Sequence, residues 1–272
     1  MKQKAEQVAE QEEVEERSAP TGKVIYKTIL QEGEGELSRP SSALFWSGLA
    51  AGLSMGFSMM AEGLLDAALP DEPWRPLVSK FGYSVGFLLV ILGRQQLFTE
   101  NTLLPILPLL QRKDGKTLGQ VLRLWGIVLV ANMLGALLLA FVVAYTTVFD
   151  ADVKHAFAEI GHKALEPGFG TIFVRGIFAG WLIAMMVWML PFAESARVWV
   201  IILLTYVVGL ANFSHIVAGS VEMFTLAAMG QAGWGEVFGG YIVPTLLGNI
   251  LGGSTLVAAL NHAQVVAGGE DI

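Results

Sequence analysis

His215 is the residue of this chain whose surroundings most invite chemistry. It sits in Ala211-Asn212-Phe213-Ser214-His215-Ile216-Val217-Ala218-Gly219-Ser220, a polar interruption of an apolar run. An ionisable group at membrane depth is a functional candidate, because hydrocarbon tolerates it only when it is paired or used. A neutral imidazole donates a hydrogen bond to an anion, a protonated one attracts it, and the free ring titrates near neutrality. Ser214 adds a hydroxyl beside it. A second interruption, Gly93-Arg94-Gln95-Gln96-Leu97-Phe98-Thr99-Glu100-Asn101, divides an earlier apolar run. There Thr99 offers a hydroxyl. Leu97 and Phe98 offer bulk suited to a constriction, or equally to ordinary packing. Arg94 and Glu100 are expected to pair and hold this break in shape, since unpaired charge at that depth is costly. Glu222, beyond the second break, is expected to pair or to reach a vestibule. His155, His162 and His262 fall in a loop or at a span end and are read as solvated.

Two breaks need apolar spans to position them. The 272 residues are 54% hydrophobic and 15% charged, apolar and charge-poor for a water-soluble domain. The apolar residues come in blocks long enough to cross a bilayer, which takes ~20 residues as helix. Six spans are expected: 43–61; 78–110, broken at 93–97; 118–147; 169–192; 198–229, broken at 211–219; and 236–261. Residues 1–22 read as a flexible acidic tail, 23–42 as a short interfacial segment with a helix over Val24–Leu30, 43–262 as the transmembrane pore domain and 263–272 as a second tail. Arg112, Lys113, Lys116 and Arg123 lie between and beside spans two and three, and Lys23, Lys27 and Arg39 precede span one. By the positive-inside rule both termini face the cytoplasm.

An internal repeat underlies the spans. Ser47-Gly48-Leu49-Ala50-Ala51-Gly52 parallels Arg175-Gly176-Ile177-Phe178-Ala179-Gly180, and Ala131-Asn132-Met133-Leu134-Gly135 parallels Gly248-Asn249-Ile250-Leu251-Gly252. Three spans per repeat force opposite insertion of the halves, so the expected fold is an all-α polytopic membrane protein with an inverted 3+3 repeat, helices two and five broken. Broken spans at matching positions point to a midplane solute site. Half-helices restarting after each break would aim amino-terminal dipoles at the centre, which favours anions. The recurring glycines read as helix packing. Asn132 and Asn249 read chiefly as side chains that bond neighbouring backbone, a direct solute contact being the lesser reading.

With these motifs the chain resembles the formate/nitrite transporter family, most closely its YfdC-like branch. The carrying residues are Leu97-Phe98-Thr99-Glu100-Asn101, Phe213-Ser214-His215-Ile216-Val217-Ala218 and Pro244 through Gly253, supported by Trp125–Gly135 and Gly176–Met189. The resemblance covers about residues 24–262. It implies an aquaporin-like six-helix protomer, assembled as a homopentamer with a pore in each protomer, in a bacterial inner membrane. It also implies passage of small monovalent anions or their acids, with His215 as the central histidine and Leu97, Phe98 and Thr99 at the first break. The chain departs from the family pattern at five places. Ser214 stands where an acid often precedes the histidine, and Gly180 and Gly219 stand where asparagines are common. Gln96 replaces an acid and Val208 an aromatic residue, while Lys163 corresponds to a vestibule lysine.

Two other readings stay open: a neutral-solute channel for water or small polyols, and a non-transporting scaffold or sensor docking a partner through its acidic tail. No nucleophile–base arrangement, phosphate loop or metal-ligand cluster is legible, so neither an enzyme nor a cofactor is expected. No basic stripe suggests nucleic acid.

Overall fold

The computed structural model describes residues 20–267 and is helical throughout its regular parts. The tail expected over 1–22 and the end of that expected over 263–272 lie largely outside the described residues. Helix α1 spans Gly22–Ser38, its amino terminus capped by the Thr21 hydroxyl, which accepts from the Val24 N–H. It buries Tyr26, Ile29, Gly33 and Leu37, spaced three and four apart along one face. That face meets the protein, since a Cβ on Gly33 would overlap the Leu104 carbonyl and the Tyr26 hydroxyl bonds His262 Nδ1 at 2.7 Å. The helix is therefore longer than the sequence suggests and forms part of the body.

Helix α2 (Ser41–Ala68) leads through a short connection to α3 (Arg75–Leu92), which carries a 3₁₀ turn at Lys80–Tyr83. After the first break come α4 (Ile106–Arg112), α5 (Gly115–Tyr145), α6 (Ala151–Leu165), α7 (Phe169–Met189) and α8 (Arg197–Leu210). After the second break α9 (Ile216–Ala228) precedes α10 (Trp234–Ala267). Among the described residues, five helices are long and apolar enough to cross a membrane: α2, α3, α5, α7 with its 3₁₀ end to Phe192, and α10. Helices α8 and α9, 14 and 13 residues long, are each too short to cross alone. Pro244 interrupts α10, where the missing N–H accompanies π-helical winding at Val237–Ile242, with a second such stretch at Gly252–Ala259.

Residues 148–168, read from sequence as a loop, contain α6. Asp150 caps it by accepting from the Val153 N–H at 3.0 Å, and it buries Ala156, Phe157, Ala158, Ile160 and Gly161. This one-sided apolar face packs against α2 and α9.

The two breaks begin alike. At the end of α3 the Gln95 N–H bonds the Val90 carbonyl and the Arg94 N–H bonds that of Ile91. At the end of α8 the Phe213 N–H bonds Val208 and the Asn212 N–H bonds Gly209. Arg94 and Asn212 have φ of 49° and 50°. This is the Schellman ending, with a left-handed residue reversing the chain. Asparagine tolerates that conformation, whereas arginine carries a penalty of ~1–2 kcal/mol.

They continue differently. The second break is five residues, and helix resumes at Ile216, earlier than the 211–219 interruption predicts. The first is longer than 93–97: a 3₁₀ turn at Glu100–Thr102 precedes α4, which starts only at Ile106. Pro105 disfavours helix at the residue before it. Only the second break therefore presents a helix amino terminus at the centre.

Candidate functional site

Two asparagines hold the breaks by the same three bonds. Asn132 Oδ1 accepts from the Phe98 N–H at 2.9 Å, and its Nδ2 donates to the carbonyls of Gly48 at 2.8 Å and Gln96 at 2.9 Å. Asn249 Oδ1 accepts from the Ile216 N–H at 2.9 Å, and its Nδ2 donates to Gly176 and Ser214, both at 2.8 Å. Both asparagines are fully buried. Glycine lets each approach closely, because a Cβ on Gly52 or Gly180 would overlap the carbonyl oxygen of Asn132 or Asn249. Gly180 therefore has no room for the amide that the family pattern leads one to expect there. This register pairs Phe98 with Ile216, Gln96 with Ser214 and Leu97 with His215. The two halves place a leucine and a histidine at equivalent points.

His215 is the N-cap of α9. Its Nδ1 accepts from the Ala218 N–H at 3.2 Å and its Nε2 lies 2.8 Å from Thr99 Oγ1. A ring nitrogen that accepts carries no proton, so a neutral ring bears its hydrogen on Nε2 and donates it to Thr99. The threonine hydroxyl hydrogen is then free to donate elsewhere. A second proton, on Nδ1, would cost the cap and bring a cation to the positive end of a helix dipole. The Phe87 ring stands edge-on to the imidazole at 4.9 Å. Leu97, Phe98, Thr99, Phe87 and His215 are all sealed within the protein, and Trp125 packs on Phe98 while donating to the Asn101 carbonyl at 2.8 Å.

A cavity lies to either side of this plug. The larger, of about 270 Å³, is bounded by α1, the first break and the start of α8, with Glu32, Glu36, Arg39, Arg94, Gln96, Glu100 and Arg197 among its walls. Arg94 and Glu100 both line it, yet they form no ion pair among the described residues, contrary to the expected strut. The strut is made by α1 instead. Glu36 accepts from Gln96 Nε2 at 2.8 Å and from Arg39, and Gln96 Oε1 accepts from Asn101. A carboxylate thus reaches the position next to Leu97 from a different helix. Burial holds the Glu32 carboxyl above the ordinary range, with Arg94 and Arg197 opposing.

The smaller cavity, about 30 Å³, is lined by Lys80, Tyr83, Val208, Ser214, Glu222 and Tyr241 among others. That is space for roughly one water. Val208 is a buried wall residue. Lys163 is elsewhere: it lies on the exposed side of α6, 3.9 Å from Glu159. The lysine of this cavity is Lys80, which the sequence reading missed. It bonds Glu62 Oε1 at 2.6 Å, with side-chain exposures of 18% and 3%, so a charged pair is almost wholly withdrawn from water.

Gly219 faces Tyr241, since any Cβ there would overlap the phenol oxygen. The tyrosine occupies the space an amide side chain would need. Gly219→Ala is accordingly expected to destabilise the protein by ~1–3 kcal/mol, with Tyr241→Leu in the same chain restoring part of the loss. Thermal unfolding of the purified single and double variants checks this.

A family model described as formate/nitrite transporter matches residues 23–263. The chain belongs to the formate/nitrite transporter family. It is 41% identical over 251 residues to the inner membrane protein YfdC of Escherichia coli, covering 92% of this chain and 81% of that one. A solved pentameric formate channel with formate bound superposes with a TM-score of 0.72 at 21% identity, covering 83% of this chain and 98% of the other. A second solved structure, an ion channel of the same family, gives 0.75 at 18% identity, covering 88% and 98%. At such identities the two structures speak for the fold. Within the family, the carbonyl clamps of Asn132 and Asn249 and the Thr99–His215 bond are the features that fix the centre of this chain.

Proposed function

We propose that the protein is a channel or proton-linked transporter for small monovalent anions, or their conjugate weak acids, of the formate/nitrite class. Its frame would be six spans as an inverted 3+3 repeat, α8 and α9 together making the fifth, in a bacterial cytoplasmic membrane with both termini inside. The single observation that carries the reading is the Thr99–His215 bond, which ties the two breaks together between the cavities, Thr99 next to Glu100 of the larger and His215 next to Ser214 of the smaller. A solute oxygen reaching the plug would meet the free Thr99 hydroxyl hydrogen, held in place because His215 occupies the oxygen's other side. Leu97 and Phe98 would exclude larger or hydrated ions. The relative solved as a pentameric formate channel supports formate as a candidate solute and a homopentamer as the assembly. Exposed apolar side chains such as Trp46, Leu122, Leu138, Trp199 and Leu203 would face lipid or neighbouring protomers.

One observation favours a second reading, a neutral-solute channel: the Ala218 N–H occupies His215 Nδ1, the position a second ring proton would need, and Gly180 and Gly219 bring no polar side chain to the centre. Proteoliposome swelling separates the two. Rapid swelling in ammonium formate or nitrite but not in glycerol supports the first, and the reverse pattern supports the second.

A further inference from the structure

The smaller cavity holds a group that the central plug does not use. Glu222, two turns into α9, is 7% exposed and lines the cavity beside Ser214, Lys80 and Tyr241. Its carboxyl group has no hydrogen-bond partner among the described residues. Glu62 and Lys80 both act on it through space. The Glu62 side chain bonds Lys80 through Oε1, while its Oε2 is buried without a partner.

Charge accounting makes this arrangement informative. Glu62 and Lys80 neutralise one another at 2.6 Å, so an ionised Glu222 would leave one uncompensated negative charge in a nearly dry space, which is strongly unfavourable. A proton on Glu222 removes that charge. The other ionisable groups that line the cavity, Tyr83 and Tyr241, add no cation. Helix α2 brings Glu62, the turn at the start of α3 brings Lys80 and Tyr83, and α10 brings Tyr241. Helix α6 contributes Ile160 and Ala164 to the cavity, its His155, Glu159 and Lys163 being solvent-facing. A protonated carboxyl at the last cavity before the plug is a hydrogen-bond donor and a proton source at once.

We propose that Glu222 is the proton donor that converts an incoming small monocarboxylate to its neutral acid before it passes Thr99 and His215. This rests on the reading of the two cavities as a solute pathway. The Glu222 O–H bond breaks and a new O–H bond forms on the solute carboxylate. The electron pair stays on Glu222, so the negative charge passes from the solute to the glutamate and the number of charges in the cavity is unchanged. Water on the cavity side returns a proton to Glu222, and the solute crosses as an uncharged molecule, one proton with each anion.

The test is formate uptake into proteoliposomes carrying a lumenal pH dye. The unaltered protein should acidify the lumen as formate enters, at a rate that valinomycin and potassium leave unchanged. In Glu222→Gln, which keeps the shape and loses the proton, uptake and acidification should both fall at least ~10-fold, a change of ~1.4 kcal/mol in barrier, and Glu222→Asp should recover part of it. Wild-type acidification in Glu222→Gln overturns the proposal and leaves the pathway reading standing. No uptake by the unaltered protein overturns both. A hydrophobic carbodiimide supplies a measurement independent of any variant, because it modifies protonated carboxyl groups. An adduct on Glu222 with uptake lost is the expected result, and full uptake with Glu222 unmodified overturns the assignment.

Discussion

Asn249→Ala is expected to be among the most damaging single changes in the chain. The substitution strands the Ile216 N–H and the Ser214 carbonyl, and removes a second bond from the Gly176 carbonyl, all in a site closed to water. Unpaired buried backbone groups cost ~1–3 kcal/mol each, so a loss of ~3 kcal/mol or more is expected, together with loss of flux as residues 211–215 relax. Asn132→Ala should behave in the same way through Phe98, Gln96 and Gly48. Denaturation of both purified variants beside the parent measures this. Losses below ~1 kcal/mol in both would show that the breaks are held by something else.

His215→Asn separates the two jobs of the imidazole. Asparagine is as good an N-cap as any residue, so it should keep the bond to the Ala218 N–H and with it the start of α9. Its shorter side chain cannot span to Thr99 while capping. The cap should hold, so the loss of stability is expected to be confined to ~1–3 kcal/mol from the missing buried bond to Thr99, while solute flux drops at least ~10-fold, equivalent to ~1.4 kcal/mol. His215→Ala should lose the flux and also ~1 kcal/mol of capping. Equal flux in the parent and His215→Asn would leave the ring a cap and nothing more.

The places where sequence and structure agree share a physical cause. The breaks were legible because polar residues inside an apolar run have few ways to be tolerated, and because a repeat shows each of them twice. Asn132 and Asn249 stood out as lone amides among apolar neighbours. What escaped notice was whatever depends on parts of the chain far apart in sequence. Lys80 and Glu62 are 18 positions apart across a turn, and nothing in their spacing announces that they pair. Tyr241 fills the gap beside Gly219 from a different helix, and Glu36 supplies the carboxylate next to Gln96 from sixty residues away. Helix α6 was hidden by its composition: charged and polar residues outnumber its buried face, although Asp150 in front of it is a capping signal visible in retrospect. The extra length of the first break was also readable in principle, from Pro105.

The chain contains no cysteine, so Thr99→Cys places a lone thiol at the plug. Modification of that thiol by a small charged methanethiosulfonate, followed alongside formate flux in proteoliposomes, tests whether solute passes between Thr99 and His215. The expected result is that labelling stops the flux and that formate in the bath slows labelling. Flux that persists after complete labelling, or a conducting variant whose thiol never reacts, would contradict a path through that pair.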